Sequence, residues 1–196
     1  MRSARPLVLA LLVVGLSGCL SIKSYVDPRL PTVGYRDLLS ARDPQPLALT
    51  VAFHRNGSPA SLGVSRARDE VRAVVERSKL FSAVVTEKST APGSQLDIVL
   101  DNVGDLNDAA AKGAKTGLTF GASGSQVTDG YVFTATFRPA GKAPVTKVYH
   151  HAMHSTIGNA PGPTGIEPMS VGEAFNKVVE GLVLNLLLDL QKEELL

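Results

Sequence analysis

Hydrophobic and polar positions alternate along residues 47–53, which read LALTVAF. Leu47, Leu49, Val51 and Phe53 fall on one face, and small alanine and threonine side chains fall on the other. This alternation is typical of a half-buried β-strand. Similar patterns predict further strands at residues 80–86, 96–103, 131–138 and 145–157. The last two of these are predicted to form a hairpin across PAGKAP.

Two other segments have the three- and four-residue spacing of an amphipathic helix. A valine-rich stripe predicts a first helix over residues 65–78, whose opposite face is charged. Ser170 and Glu173 match a capping box, in which each residue satisfies a backbone N–H of the other. They predict the start of a second helix that ends at about Gln191.

The C-terminal half of the second helix is apolar on more than one face, because Leu184, Leu187 and Leu188 follow a polar turn. A membrane span is not predicted, since charged and amide side chains interrupt this run and would be costly in lipid. Two interpretations remain. The N-terminal segment or a loop covers this second face, or the three leucines contact a partner protein or a second copy.

The order of strand, helix, several strands and helix predicts an α+β fold. We expect a two-layer sandwich with a mainly antiparallel sheet and two helices packed on one face, formed as a single domain by residues 47–196. Residues 105–129 are rich in glycine, alanine, serine and threonine. They are predicted to form either a flexible connector or a docking loop.

The N-terminus follows the plan of a signal peptide. Arg2 and Arg5 precede an uninterrupted apolar run, LVLALLVVGL, at residues 7–16. Ten residues are too few to cross a bilayer as a helix, which requires about 20. Residues 1–18 are therefore expected to be removed.

Leu16-Ser17-Gly18-Cys19 resembles the lipobox of bacterial lipoproteins, and Cys19 is the only cysteine of the chain. The resemblance implies that the Cys19 thiol carries diacylglycerol, that the chain is cut before it, and that the new amino group is acylated, often with palmitate. Leu20 resembles the sorting pattern for the outer membrane, at its periplasmic face. The alternative is an ordinary signal peptide followed by a chance cysteine, which could form no internal disulfide.

Residues 19–46 contain four prolines and no lasting apolar periodicity, which predicts a lipidated tether. A flexible coil of this length would span roughly 30 Å. The alternative is that part of the segment, around residues 35–39, packs back on the domain.

Cleavage before Cys19 leaves 18 basic and 18 acidic residues, because it removes only Arg2 and Arg5 from the charged set. A neutral mature chain gives no indication of a nucleic-acid partner. The chain has no tryptophan and ten other aromatic residues, so the core is expected to consist mostly of valine, leucine and alanine.

The most suggestive chemistry lies in the cluster of His150, His151 and His154. In a strand, His150 and His154 share a face but lie about 13 Å apart, too far to share one metal ion. We therefore expect no metal, cofactor or catalytic residues. The alternative function is a periplasmic metal-binding protein or an enzyme that uses residues 150–154.

A helix leading into Leu80-Phe81-Ser82-Ala83-Val84, followed by a strand that opens on residues 96–100, gives a second resemblance. The pattern is similar to the amino-terminal domain of TolB and to related outer-membrane lipoproteins, including exopolysaccharide- and curli-secretion components and auxiliary lipoproteins of ABC transporters. It implies a non-catalytic accessory or assembly component of the cell envelope, anchored in the outer membrane, that binds another envelope or transport protein.

Overall fold

The computed structural model describes residues 21–86, 93–104 and 125–196. Within these ranges one mixed sheet carries two helices on one face, so the predicted α+β class and two-layer arrangement are confirmed. The strands are β1 (Ile22–Val26), β2 (Leu47–Arg55), β3 (Ser58–Pro59), β4 (Val84–Val85), β5 (Ser94–Gly104), β6 (Ser125–Arg138) and β7 (Val145–Ile157). The helices are α1 (Val64–Ser78) and α2 (Val171–Lys192), together with a short 3-10 turn at Tyr35–Asp37.

The strand order is β1-β7-β6-β5-β2-β3, and β4 also pairs with β2. β6 and β7 form the predicted antiparallel hairpin, with Phe133 opposite Tyr149. β2 and β5 pair in parallel, with Leu49 opposite Leu96, and α1 lies in the connection between them. The sheet is therefore mainly antiparallel, with one strand–helix–strand crossover at its centre.

The core lies between the sheet and the two helices. Alternate residues of the central strands are fully buried there, among them Leu49, Ile98 and Phe133, and they meet the buried stripes of α1 and α2. Each large apolar side chain buried in this way stabilises the fold by about 1.5–3 kcal/mol relative to an exposed one. The opposite face of the sheet lacks this cover, and its Val148 is 54% exposed.

The predicted strand at residues 80–86 is shorter than its pattern suggested. Only Val84 and Val85 pair with a neighbour, in parallel with the first two residues of β2. Leu80 is instead buried in the core, directly after α1 ends at Lys79 in a left-handed conformation with φ 57°. Leu80 and Phe81 therefore pack in or against the core, and only the two valines of this stretch pair as a strand.

The prediction of a tether over residues 19–46 is wrong for the described part of that segment. β1 pairs with β7 along its whole length, and the following residues cross the outer side of α2. The Tyr35 hydroxyl donates to Glu180 at 3.0 Å, and Leu39 exchanges hydrogen bonds with the Gln191 amide at 2.9 and 2.6 Å. The alternative, in which residues 35–39 pack back on the domain, matches the structure.

No helix in the described part of the chain is long and apolar enough to cross a membrane. Of the predicted loop at residues 105–129, residues 105–124 lie outside the described ranges, and residues 125–129 belong to β6.

Candidate ligand-binding cavity

The residues predicted to contact a partner lie on α2 and are mostly covered. Leu184 and Leu187 are 2% and 0% exposed, and Leu188 is half-buried. The cover is the segment after β1, where Asn185 Nδ2 donates to the carbonyl of Pro31 at 2.9 Å. Leu184 and Leu187 are therefore core residues, and the covering interpretation replaces the partner-contact interpretation. Cys19, the predicted lipid attachment site, lies outside the described residues.

The histidine cluster of β7 is divided between the two faces of the sheet. His150 is exposed on the open face, while His151 packs against Gly181 of α2, where a Cβ would lie 3.6 Å from Nε2. Alternation along a strand places successive side chains on opposite faces. The described residues contain no group of three histidine, cysteine or acidic side chains placed to hold a metal ion.

His154 takes part in a polar cluster with the buried carboxylate of Asp27. Its Nε2 lies 3.2 Å from Asp27 Oδ2, and its Nδ1 lies 2.9 Å from the Thr128 hydroxyl. Arg29 binds both oxygens of Asp27, and its side-chain hydrogen bonds hold the pKa of that carboxyl well below its usual range. The cluster connects the residues after β1 to β7 and β6.

His151 is the one described side chain with a fully buried polar atom that lacks a hydrogen-bond partner, at Nδ1. Burial lowers the pKa of His151, while the nearby Asp27 carboxylate acts in the opposite direction. Burial against α2 therefore favours the neutral form of the ring.

A concavity lies at the end of the domain where β2 and β5 end and both helices begin. It has a volume of about 800 Å³. Its lining comes from both helices, from five strands and from the loop before α1: Phe53, Arg55, Pro59, Ala60, Ser61, Leu62, Gly63, Arg66, Asn102, Asp129, Tyr131, Met153, Val171, Gly172 and Phe175. Crevices at the carboxyl ends of parallel strands are common ligand sites in folds that contain such pairs.

The inner wall of the cavity is aromatic and apolar. Tyr131 and Met153 are buried at 4% and 5% exposure, and the Tyr131 and Phe175 rings meet edge to face with centroids 5.9 Å apart. Gly63, with φ 95°, starts α1 against the Phe53 ring, where a Cβ would approach a ring carbon to 3.1 Å. Only glycine combines that backbone conformation with so close an approach.

The rim of the cavity carries two arginines. Arg66 donates to the Gly172 carbonyl at 3.0 Å and to Asn176 at 2.9 Å, and its guanidinium lies 5.7 Å from the centre of the Phe175 ring. Arg55 is exposed and makes no ion pair with another described residue. Asp129 is the one acidic residue in the lining, and the Asn102 amide lies 3.4 Å from it.

The two helix starts differ in how their backbone N–H groups are satisfied. At α2, the capping box predicted from the sequence is present, with Ser170 and Glu173 bonded reciprocally. At α1, Gly63 offers no side-chain cap, and no acidic residue lies in the first turn. Because a helix N-terminus carries partial positive charge, α1 adds to the positive potential of the two arginines.

The cavity is not evident from the sequence because its residues are scattered over seven segments. The sequence feature that could have indicated the cavity is Arg55. It ends a strand just before the Asn56-Gly57 turn, and a short loop connects it to the start of α1. The strand, helix and strand in succession would have indicated a parallel pair, and hence a crevice at the strand ends.

The fold and the cavity together define an open-faced α+β domain with a ligand-sized concavity at one end. No protein-family model matches the chain, and no curated protein matches it. Among solved structures, a crystal structure of an uncharacterized protein is 9% identical and covers 76% of this chain and 91% of its own, with a TM-score of 0.34. A dodecamer of a PelC variant from Paraburkholderia phytofirmans is 10% identical and covers 86% and 96%, also with a TM-score of 0.34. At this level neither similarity bears on the function of the chain.

Proposed function

We propose that the chain is a non-catalytic lipoprotein, anchored through Cys19 at the periplasmic face of the outer membrane, that serves as an accessory or assembly component of the cell envelope. The support is the charged start, the apolar run and the lipobox-like Leu16-Ser17-Gly18-Cys19 in one short stretch. The resemblance to the lipobox and the resemblance to outer-membrane lipoproteins imply the same compartment, the periplasmic face of the outer membrane.

One structural observation refines this proposal: β1 begins at Ile22, three residues after Cys19. Three extended residues span at most about 11 Å. A lipidated Cys19 therefore keeps the start of β1 beside the bilayer, rather than letting the domain stand away from it. Two or three acyl chains would make this attachment stable, because one myristoyl chain alone binds only reversibly.

The proposed role is to bind another envelope protein or a second copy. Since Leu184 and Leu187 are covered, such a contact must use another surface. Chemical crosslinking in intact cells, followed by mass spectrometry, tests this part. Crosslinks between copies, or to one envelope protein, support it, and recovery of the monomer alone contradicts it.

The anchor is tested by Cys19→Ser in the full precursor, with Ser21→Ala as the matched control two residues away. We expect Cys19→Ser to abolish labelling by a radioactive or clickable fatty acid and to leave the precursor uncleaved by the lipoprotein peptidase, while Ser21→Ala behaves as the unaltered chain. A Cys19→Ser protein that still takes up the fatty acid and sediments as the same processed product contradicts the proposal.

A further inference from the structure

We propose that the cavity between the starts of α1 and α2 binds a membrane phospholipid, with one acyl chain inside and an anionic phosphate at Arg55 and Arg66. This inference rests on the proposed function for its membrane location. The ligand class itself follows from the shape, lining and charge of the cavity.

The interior suits an acyl chain. Pockets of 300–1,000 Å³ lined mainly by apolar and aromatic groups are typical of small-molecule sites, and this one measures about 800 Å³. Phe53, Phe175 and Tyr131 supply its aromatic walls, and Met153 lies among them. Methionine adapts its shape to irregular apolar ligands, which suits flexible hydrocarbon chains.

The rim suits an anionic head group. Arg66 is held in place by Gly172, Asn176 and the Phe175 ring, so its guanidinium is oriented before any ligand arrives. Arg55 lines the same rim without a carboxylate partner in the described residues. Two arginines outnumber the single Asp129, and a guanidinium binds phosphate oxygens through paired N–H groups.

The cavity also lies at the end of the domain that the anchor holds to the bilayer. Met153, in its lining, pairs with Val26, and β1 runs from there back to Ile22 and toward Cys19. Seven extended residues from Val26 to Cys19 span at most about 25 Å. Leu62 and Val171, in the lining, are 87% and 43% exposed, and Ile22 on the same end is 47% exposed. Exposed apolar side chains are expected on a surface that faces lipid.

The test uses the full lipidated chain in phosphatidylcholine vesicles that contain a trace of phosphatidylglycerol with a diazirine at the end of one acyl chain. After irradiation, we expect crosslinks on peptides that contain Tyr131, Met153 or Phe175. Arg55→Gln and Arg66→Gln should each raise the lipid fraction for half-maximal labelling about tenfold, the loss expected for one charge-assisted hydrogen bond. Arg72→Gln, an exposed arginine paired with Glu76 elsewhere on α1, is the matched control and should change nothing.

Val171→Trp should reduce the cavity labelling by filling the mouth, without changing the circular dichroism of the protein. Crosslinks confined to the surface around Ile22 overturn the proposal. It is also overturned if a diazirine phosphatidylcholine labels the cavity as well as the phosphatidylglycerol does, and if that labelling is unchanged in both arginine variants. Labelling by a soluble diazirine fatty acid but not by the vesicle lipid also overturns it, because the ligand would then be a free carboxylate. Sedimentation of the same vesicles separates the two proposals: protein that sediments without cavity labelling contradicts only this one.

Discussion

Single polar residues join the N-terminal segment to the sheet. The Asp27 backbone N–H donates to the Ala152 carbonyl at 3.0 Å, and its carboxylate binds Arg29 and His154. Asp27 is 6% exposed, and a buried carboxylate is tolerated only when it is paired and hydrogen-bonded. Nothing in the sequence marked Asp27, because His154, which helps to explain its burial, lies 127 residues away.

His151 predicts a specific pH dependence of stability. Burial lowers its pKa in the folded chain below the ordinary value of 6.5, so below pH 6.5 the unfolded chain binds more protons than the folded one. The free energy of unfolding should therefore fall as the pH drops from 6.5 toward the lowered pKa. Asp27 acts in a separate window, because its lowered pKa removes stability only as the pH falls below 3.8.

Urea midpoints of the full mature chain at pH 7, 6 and 5 check this prediction. His151→Leu replaces the imidazole with an apolar side chain of similar length that does not titrate. It should flatten the dependence of the urea midpoint on pH between pH 7 and 5. His150→Leu, the exposed neighbour, is the control and should leave the slope intact. Parallel profiles for His151→Leu and the unaltered chain would show that His151 does not titrate with unfolding.

At the scale of elements, α2 is buried on two faces. One face lies on the sheet, and the other lies under the residues that follow β1, so that six consecutive residues, Leu182–Leu187, are buried. Leu187→Ala should cost about 2–5 kcal/mol of unfolding free energy, the range for large buried side chains cut back to alanine. Leu188→Ala, at a half-buried position, should cost markedly less.

Chemical denaturation of the two single variants measures the difference. If Leu187 were a partner contact rather than a core residue, Leu187→Ala would leave the denaturation midpoint of the monomer unchanged and would alter only association. Equal losses for Leu187→Ala and Leu188→Ala would contradict the burial that distinguishes these adjacent positions.

Elements with a strong local signal were predictable. The β6–β7 hairpin has long alternation, and α2 has both a stripe and a capping box, so its start at Val171 followed from Ser170 and Glu173. β1 was missed because IKSYV is short and its pattern is polar on both faces, although Ser24 and Tyr25 are buried by distant partners. The parallel pairing of β2 and β5 depends on the path of the chain, which periodicity does not encode.

At the scale of the molecule, the N-terminal segment is part of the fold rather than an attachment to it. It adds the edge strand β1, covers α2 with Leu30 and Leu38, and shortens the path between the predicted lipid and the domain. The candidate cavity also depends on long-range packing, because it forms where elements from distant parts of the sequence meet. The sequence predicts the two layers, but it predicts neither the pairing of β1 with β7 nor the cavity, since both depend on long-range packing.

Truncation tests this view of the whole molecule. A chain of residues 21–196 should unfold cooperatively, because it retains every described contact. A chain of residues 47–196 should lose much of that cooperativity and bind the dye ANS, since removal of β1 and its continuation exposes Leu184, Leu187 and the edge of β7. Adding a synthetic peptide of residues 21–46 should reduce the dye signal. Equal denaturation midpoints and equally low ANS binding for the two chains would show that the segment is dispensable, and that a tether describes it better than a strand.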